Sequence, residues 1–258
     1  MKHKKILGID IGGSGIKGAI VDIKTGDMLT ERHRIPTPDP ATPASVAEVI
    51  GQIVKHFKWD GPIGVGYPGV VQNGKVKTAA NVDSKWIDTN IENLIRKVTG
   101  CTATVVNDAD AAGLAEMKFG AGRGNKGVVF LATVGTGIGT VIFSGGKLVP
   151  NLELGHITLK GEDAEKYASD AARQKFKLTW EQWGGRFSEY LELIENLFWP
   201  DLIIIGGGAS KKTDIISAHI HTRCKIVPAE LLNNAGIIGA ALAMNIKLKE
   251  QEKTVHRV

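Results

Sequence analysis

Two stretches of this chain, over a hundred residues apart, share one build. The first is Lys5-Ile6-Leu7-Gly8-Ile9-Asp10-Ile11-Gly12-Gly13-Ser14-Gly15-Ile16-Lys17-Gly18-Ala19-Ile20-Val21; the second runs from Val128 to Phe143 around Gly135-Thr136-Gly137-Ile138-Gly139. In each, an apolar run ends in glycines and a second apolar run follows, which reads as strand, tight loop, strand. The echo predicts a duplicated domain plan with two phosphate-sized loops facing each other. Glycine permits φ > 0 and lets backbone N–H groups point at a ligand, and a nest of such groups favours an anion. Neither a P-loop nor a dinucleotide fingerprint fits, because both need a helix after the glycines and Ile16 to Val21 reads as strand. A plain glycine-rich hairpin is the competing reading. Asp10 argues against it, since a carboxylate beside a phosphate nest suits a hydrated Mg²⁺.

The remaining pattern alternates strands and helices. Met28 to Ile35 reads as a third strand, and Pro36 to Pro43 is a proline-rich connector. Thr42 or Ser45 can cap a helix over Val46 to Phe57, whose Val46, Val49, Ile50, Ile53, Val54 and Phe57 form one apolar face. Pro62 to Val71 is a strand leaving through Gly66-Tyr67-Pro68-Gly69, and small residues at such a strand exit leave space for a ligand. Asn73-Gly74 signals a hairpin, and Ile91 to Val98 a short helix. Thr102 to Val106 ends in Asn107-Asp108-Ala109-Asp110 ahead of a helix from Ala111 to Met117, where Asp108 taken by itself reads as an N-cap. Helical patterns cover Ala164 to Ala172 and Thr179 to Phe198. The second places Trp180, Trp183, Phe187, Tyr190, Leu191, Ile194 and Leu197 at core spacing. Leu202 to Ala209 is a buried strand entering Gly206-Gly207-Gly208, Cys224 to Val227 a last strand, and Asn234 to Met244 an Ala/Gly-rich helix. The charged tail after Lys247 is expected to fray.

Composition excludes several classes. With 258 residues, 43% hydrophobic and 23% charged, the chain is an ordinary globular one with room for one large or two moderate domains. The net charge of +5 is compatible with a polyanionic ligand without specifying one, and no nucleic-acid-binding motif accompanies it. Cys101 and Cys224 are too few and too far apart for a disulfide framework or a four-sulfur metal site, so a reduced cytoplasm is expected. No signal-peptide pattern and no run of bilayer length are seen, so no membrane association is expected.

The motifs occur in a known order. Asp10-x-Gly12-Gly13-Ser14, Asn107-Asp108-Ala109, Gly135-Thr136-Gly137-Ile138-Gly139, Glu153-Leu154-Gly155-His156 and Gly206-Gly207-Gly208 resemble the sugar kinases of the repressor–open reading frame–kinase group. The blocks Thr179-Trp180-Glu181-Gln182-Trp183, Pro200-Asp201-Leu202 and Pro228 to Ala241 are similar to the polyphosphate-using branch of that group along nearly the whole chain. The resemblance implies an α/β, two-domain actin-like, ribonuclease-H-like fold, with residues 1–108 plus 235–258 as the first domain and 109–234 as the second. Many members carry a zinc site made of the Glu-x-Gly-His histidine and three cysteines. No cysteine lies between Cys101 and Cys224 here, so zinc is not expected.

By the same resemblance the chain phosphorylates glucose, and mannose as a further acceptor, at the 6-hydroxyl. The donor is inorganic polyphosphate, ATP or both, with Mg²⁺. Asp108 is the implied general base, and Asn107, Glu153, His156 and Glu165, with Asn81 and Asp83 as further candidates, the implied sugar ligands. Gly12, Gly13, Ser14 and Lys17 would hold one end of the donor, Gly135, Thr136, Gly137 and Gly139 the other, with Gly207 and Gly208 adjoining and Asp10 orienting Mg²⁺ through water. Closure between the domains would exclude water. A polyphosphate groove could draw on Lys85, Arg123, Lys126, Lys211 and Lys212, and a homodimer is implied. The alternatives are a strictly ATP-dependent kinase for glucose, mannose or an N-acetylhexosamine, and, in a different class, a non-catalytic sugar-responsive binding or regulatory protein. The group's repressors carry an N-terminal helix-turn-helix, for which the strand beginning at Lys5 leaves no room.

Overall fold

In the computed structural model, which describes residues 4–79 and 82–255, the opening hairpin pairs residue for residue. Strand β1 (Lys5–Gly12) runs antiparallel to β2 (Gly15–Asp22), from Lys5 opposite Asp22 to Gly12 opposite Gly15. The third strand is shorter than the sequence pattern suggests: only β3 (His33–Ile35) pairs with β2, and Met28 makes one isolated bridge to Val21. Between them the Ile20 N–H donates to the Thr30 hydroxyl, so a side chain interrupts the ladder. Helix α1 (Pro43–His56) starts with Pro43 in its first turn and with the Thr42 hydroxyl accepting the Ser45 N–H. Its Val46, Val49, Ile50, Ile53 and Val54 are buried, whereas Phe57 is only partly so. Then come β4 (Ile63–Tyr67) and the small hairpin of β5 (Val71–Gln72) and β6 (Lys75–Val76). Asn73 at φ +52 and Gly74 at φ +72 form its turn, the backbone that an Asn-Gly pair favours. Helix α2 (Ile91–Thr99), strand β7 (Ala103–Asn107) and helix α3 (Asp108–Phe119) follow.

The first sheet has the order β3-β2-β1-β4-β7, with β1, β4 and β7 parallel. Side chains alternate across it. Leu7, Ile9, Ile11, Ile63, Val65 and Tyr67 form a core with α1 and α2, and the opposite face carries Gly8, Asp10, Gly64 and Gly66.

A second sheet repeats the plan. It comprises β8 (Val128–Val134), β9 (Ile138–Ser144), β10 (Lys147–Val149), β13 (Leu202–Gly207) and β14 (Lys225–Pro228), in the order β10-β9-β8-β13-β14, with β8, β13 and β14 parallel. Between β10 and β13 lie the small hairpin β11 (Thr158–Leu159) and β12 (Glu162–Asp163), then α4 (Ala164–Ala168), α5 (Asp170–Lys175) and α6 (Trp180–Phe198). The single helix expected over Ala164 to Ala172 is two, because Ser169 is extended and its hydroxyl caps α5. Thr179 and Gln182 form a capping box for α6, and Trp183, Phe187, Tyr190, Leu191 and Ile194 are fully buried beneath it. Leu197, expected in the core, is exposed in the last turn, next to the left-handed Trp199 that ends the helix. Helix α7 (Thr213–Ile216) lies between β13 and β14.

The last helix, α8 (Ala235–Val255), packs on the glycine face of the first sheet. A Cβ on Gly8 would lie 2.1 Å from the Ile237 carbonyl oxygen, and one on Gly64 1.8 Å from that of Ala240. Helix and sheet backbones meet with no side chain between them. The charged tail does not fray after Lys247: α8 continues to Val255, built from the good helix formers Lys, Glu and Gln, and Lys247 Nζ bonds Glu92 at 2.8 Å.

Two compact units result, Met1–Ala115 with Asn234–Val258, and Glu116–Asn233. The division runs through α3 after Ala115, seven residues beyond the expected boundary at 108.

Candidate active site

In the first unit the parallel strands β1, β4 and β7 end side by side, and two aspartates come together at Gly66. Asp10 is opposite Gly66 in the β1/β4 register, and Asp108 follows Asn107 directly at the end of β7. A Cβ on Gly66 would lie 3.6 Å from Asp108 Cα and 3.8 Å from Asp10 Oδ1. Asp10 also abuts Gly236 in the first turn of α8, 3.1 Å from Cγ to the position of a Cβ there. Burial pushes its carboxyl above the usual range, opposed by Lys17, whose Nζ is 3.6 Å from Oδ2, and by the charge of Arg32.

Asn107, not Asp108, caps α3. Its Oδ1 accepts the Asp110 N–H at 3.0 Å, and its Nδ2 donates to the Gly69 carbonyl at 3.2 Å. Asp108 stands one residue further on and accepts the Ala109 N–H at 2.8 Å. The capping role that the sequence offered to Asp108 is therefore taken, and Asp108 lies in the first turn, where the helix dipole favours a negative charge.

The hairpin tip Gly12, Gly13 and Ser14 is exposed at Gly13 and Ser14, whose N–H groups have no protein acceptor among the described residues. Neither here nor at Gly135, Gly137 and Gly139 does a glycine adopt positive φ, so the expectation of left-handed loop residues is corrected. Absence of a side chain matters at Gly12 and Gly137, where a Cβ would lie 3.0 Å from the Gly15 carbonyl oxygen and 2.4 Å from Glu165 Oε2. The tip is braced by β3 and the segment after it: Arg34 Nη2 donates to the Ser14 carbonyl and Thr37 Oγ1 to the Gly12 carbonyl.

In the second unit, residues 135–137 join β8 to β9. The Gly135 N–H donates to the Gly137 carbonyl at 3.0 Å, and the Gly135 carbonyl accepts from Asp170 and Ala171 at the start of α5. The Thr136 and Gly137 N–H groups have no protein acceptor among the described residues. Gly139 lies not in the loop but within β9, opposite Thr133. Glu165 holds the loop from α4, since its Oε2 accepts the Ile138 N–H at 3.3 Å and a Cβ on Gly137 would lie 2.4 Å from that oxygen.

The Glu153-Leu154-Gly155-His156 segment docks on the same hairpin. The buried Thr140 hydroxyl donates to the Leu152 carbonyl and accepts the Leu154 N–H, both at 3.0 Å, and a Cβ on Gly155 would be 2.3 Å from the Ile138 carbonyl oxygen. His156 is thereby set among three carboxylates: Nε2 is 3.8 Å from Glu153, and Nδ1 is 3.5 Å from Asp163 and 3.9 Å from Glu165. Burial, the leading influence, raises the Glu153 carboxyl; His156 opposes the rise and Glu165 adds to it. Such a group of acceptors around one imidazole suits a polyhydroxylated ligand, whose hydroxyls can each donate to a carboxylate. Gly207, at φ +71, abuts the end of β8: a Cβ there would be 2.3 Å from the Val134 carbonyl oxygen, and one on Gly208 3.8 Å from the same atom.

Asp83 accepts the Lys85 N–H and caps the short turn Ser84–Trp86. Asn81 lies outside the described residues. Lys85, Arg123, Lys126, Lys211 and Lys212 are exposed. Sequence reasoning missed Arg34, Thr37, Asp163 and Gly236, which only pairing register and chain reversal bring to the motifs. Among the described residues no three His, Cys, Asp or Glu side chains gather as metal ligands. The Asp10 carboxylate, 3.6 Å from Lys17 Nζ, suits a hydrated Mg²⁺. No helix among the described residues is long and apolar enough to cross a membrane.

Comparison with known proteins identifies the family. The ROK family model matches residues 6–171. The chain is 49% identical over 238 residues to a polyphosphate glucokinase of Mycobacterium tuberculosis, covering 92% of this chain and 90% of that one. Among solved structures it is similar to the inorganic polyphosphate/ATP-glucomannokinase of Arthrobacter sp. strain KM, with a TM-score of 0.90 and 47% identity over 95% of this chain and 100% of that one. It is also similar to a ROK family glucokinase of Streptomyces griseus in complex with glucose and AMPPNP, with a TM-score of 0.81 and 25% identity over 93% and 99% of the two chains.

Proposed function

This chain belongs to the ROK family, and from that membership we propose that it transfers a phosphoryl group from inorganic polyphosphate to the 6-hydroxyl of glucose, with ATP as a second donor. The convergence of Asp10 and Asp108 at Gly66, beside a hairpin tip with unclaimed N–H groups, carries the reading.

Phosphoryl transfer asks a protein for positioning, neutralisation of charge and a base near the attacking oxygen. Asp108 accepts the proton of the 6-hydroxyl as that oxygen bonds phosphorus, and the donor leaves shortened by one phosphate. Asn107 sets the start of α3 and so the place of Asp108. The N–H groups of Gly13, Ser14, Thr136 and Gly137 bind non-bridging phosphate oxygens, and Lys17 adds positive charge. Asp10 would hold Mg²⁺ through water, and that ion would neutralise charge on the donor. Glu153, His156 and Glu165, with Asp163 behind the imidazole, take the sugar hydroxyls. Mannose is a second acceptor, the chain acts as a homodimer, and it works in the cytoplasm.

The test is glucose 6-phosphate formation by the purified protein with Mg²⁺, run in parallel with ATP and with long-chain polyphosphate. Polyphosphate activity, alone or with ATP, supports the proposal. Activity with ATP only would overturn the donor assignment while leaving the Asp108 chemistry standing, and silence with both would overturn the reaction.

A further inference from the structure

One row of charge crosses three neighbouring strands of the first sheet. Asp10 is opposite Lys17 in the β1/β2 register, and Lys17 is opposite Arg34 in the β2/β3 register. Directly opposite residues share a face, so carboxylate, ammonium and guanidinium rise from the same side in that order. Only Asp10 and Lys17 form an ion pair. Lys17 and Arg34 are like charges side by side, an arrangement that costs stability unless an anion is shared between them. Arg34 is exposed and has no carboxylate partner among the described residues. Its guanidinium bends over the hairpin tip, where a Cβ on Gly15 would lie 2.4 Å from Nε and the Ser14 carbonyl accepts from Nη2. That bond uses one of five N–H groups. Arg32, close enough for its charge to act on Asp10, adds a third cation.

The strip extends from Asp10 past the tip to β3, which is the edge of the sheet. It spans two interstrand spacings, roughly 9–10 Å, more than a single phosphate group covers, and it ends in the open. We propose that Lys17, Arg34 and Arg32 form a track for the non-reacting residues of a linear polyphosphate, leading the donor's tail from the Gly12–Ser14 tip to the sheet edge. The proposal rests on the donor assignment above and moves the groove away from Lys85, Arg123, Lys126, Lys211 and Lys212.

The experiment compares binding of long-chain polyphosphate and of tripolyphosphate to the glucose-free protein over a range of salt, for the wild type, Arg34→Met and Arg34→Lys. Expected for Arg34→Met is a loss of about tenfold in long-chain affinity, with the salt slope reduced by about one, and a change of less than about threefold for tripolyphosphate. Arg34→Lys, which keeps the charge and loses the planar fork, recovers most of the slope. Equal losses for both lengths would show that Arg34 serves only to brace Ser14, and unchanged long-chain binding would remove it from the donor's path; either result overturns the track. Wild-type protein that binds neither probe would instead overturn the donor assignment, and the track with it.

Discussion

Asp108 is distinguished by what its neighbour does. Asn107 takes the capping bond, and the Asp108 backbone and the Asp10 carboxylate both border Gly66. Asp108→Asn should therefore keep the fold and lower kcat by about 10²–10⁴-fold, with the KM for glucose little changed; near-wild-type turnover would remove Asp108 as the base. Asp10 gives a pH prediction. Its carboxyl is raised by burial and held down by Lys17 and Arg32. Lys17→Met removes a charge that favours the ionised form, so the carboxyl rises further and the acid limb of kcat/KM for the donor moves to higher pH. A limb that moved to lower pH would contradict the assignment. The stability sign agrees: a carboxyl raised on folding contributes stability below its unfolded value and loses it as pH rises through the folded one. Asp10, Asp108, Glu153 and His156 were readable as candidates because few structural duties call for such residues at strand ends and glycine loops. Asp163 was not, since nothing in its local pattern says that β12 carries it to Nδ1 of His156.

Among the elements, the two glycine hairpins and α8 depend on missing side chains in different ways. In α8 and the first sheet the need is contact between backbones: Gly8, Gly64 and Gly239 each face a carbonyl oxygen closer than any Cβ could sit. Gly64→Ala should cost about 1–3 kcal/mol or more, read as a lowered denaturation midpoint; an unchanged midpoint would mean that α8 does not sit where the glycines allow it. Gly155→Ala probes the second hairpin. Its Cβ would drive the Glu153-Leu154-Gly155-His156 segment off Ile138, so the KM for glucose should rise by an order of magnitude or more while polyphosphate binding is kept. Loss of both would assign the segment a general structural role. The strand and helix pattern was largely legible, because alternation and 3.6-residue spacing are local properties. Two of the errors fall where a side chain intervened locally, with Thr30 taking a ladder bond and Ser169 capping a new helix.

At the scale of the whole molecule, one strand order occurs twice, each time as an antiparallel hairpin followed by parallel strands. The first unit carries Asp108 and the braced tip, the second the carboxylate–imidazole cluster. Hydrogen exchange can separate them. Polyphosphate alone should slow the amides of Gly13 and Ser14, and glucose alone those from Leu154 to Ala168; a pattern that reversed these regions would refute the division of labour. The sequence by itself determined that two hairpins repeat, that glycines and polar residues gather at strand ends, and which residue types were available for the chemistry. Those facts are encoded in order and spacing along the chain. Tertiary structure alone decided that Asp10 and Asp108 both border Gly66, that Arg34 lies over Ser14, that Asp163 backs His156, and that α8 closes on Gly8 and Gly64. Each is a contact between residues far apart in sequence, set by strand register and backbone approach, and neither leaves a periodic trace in the chain.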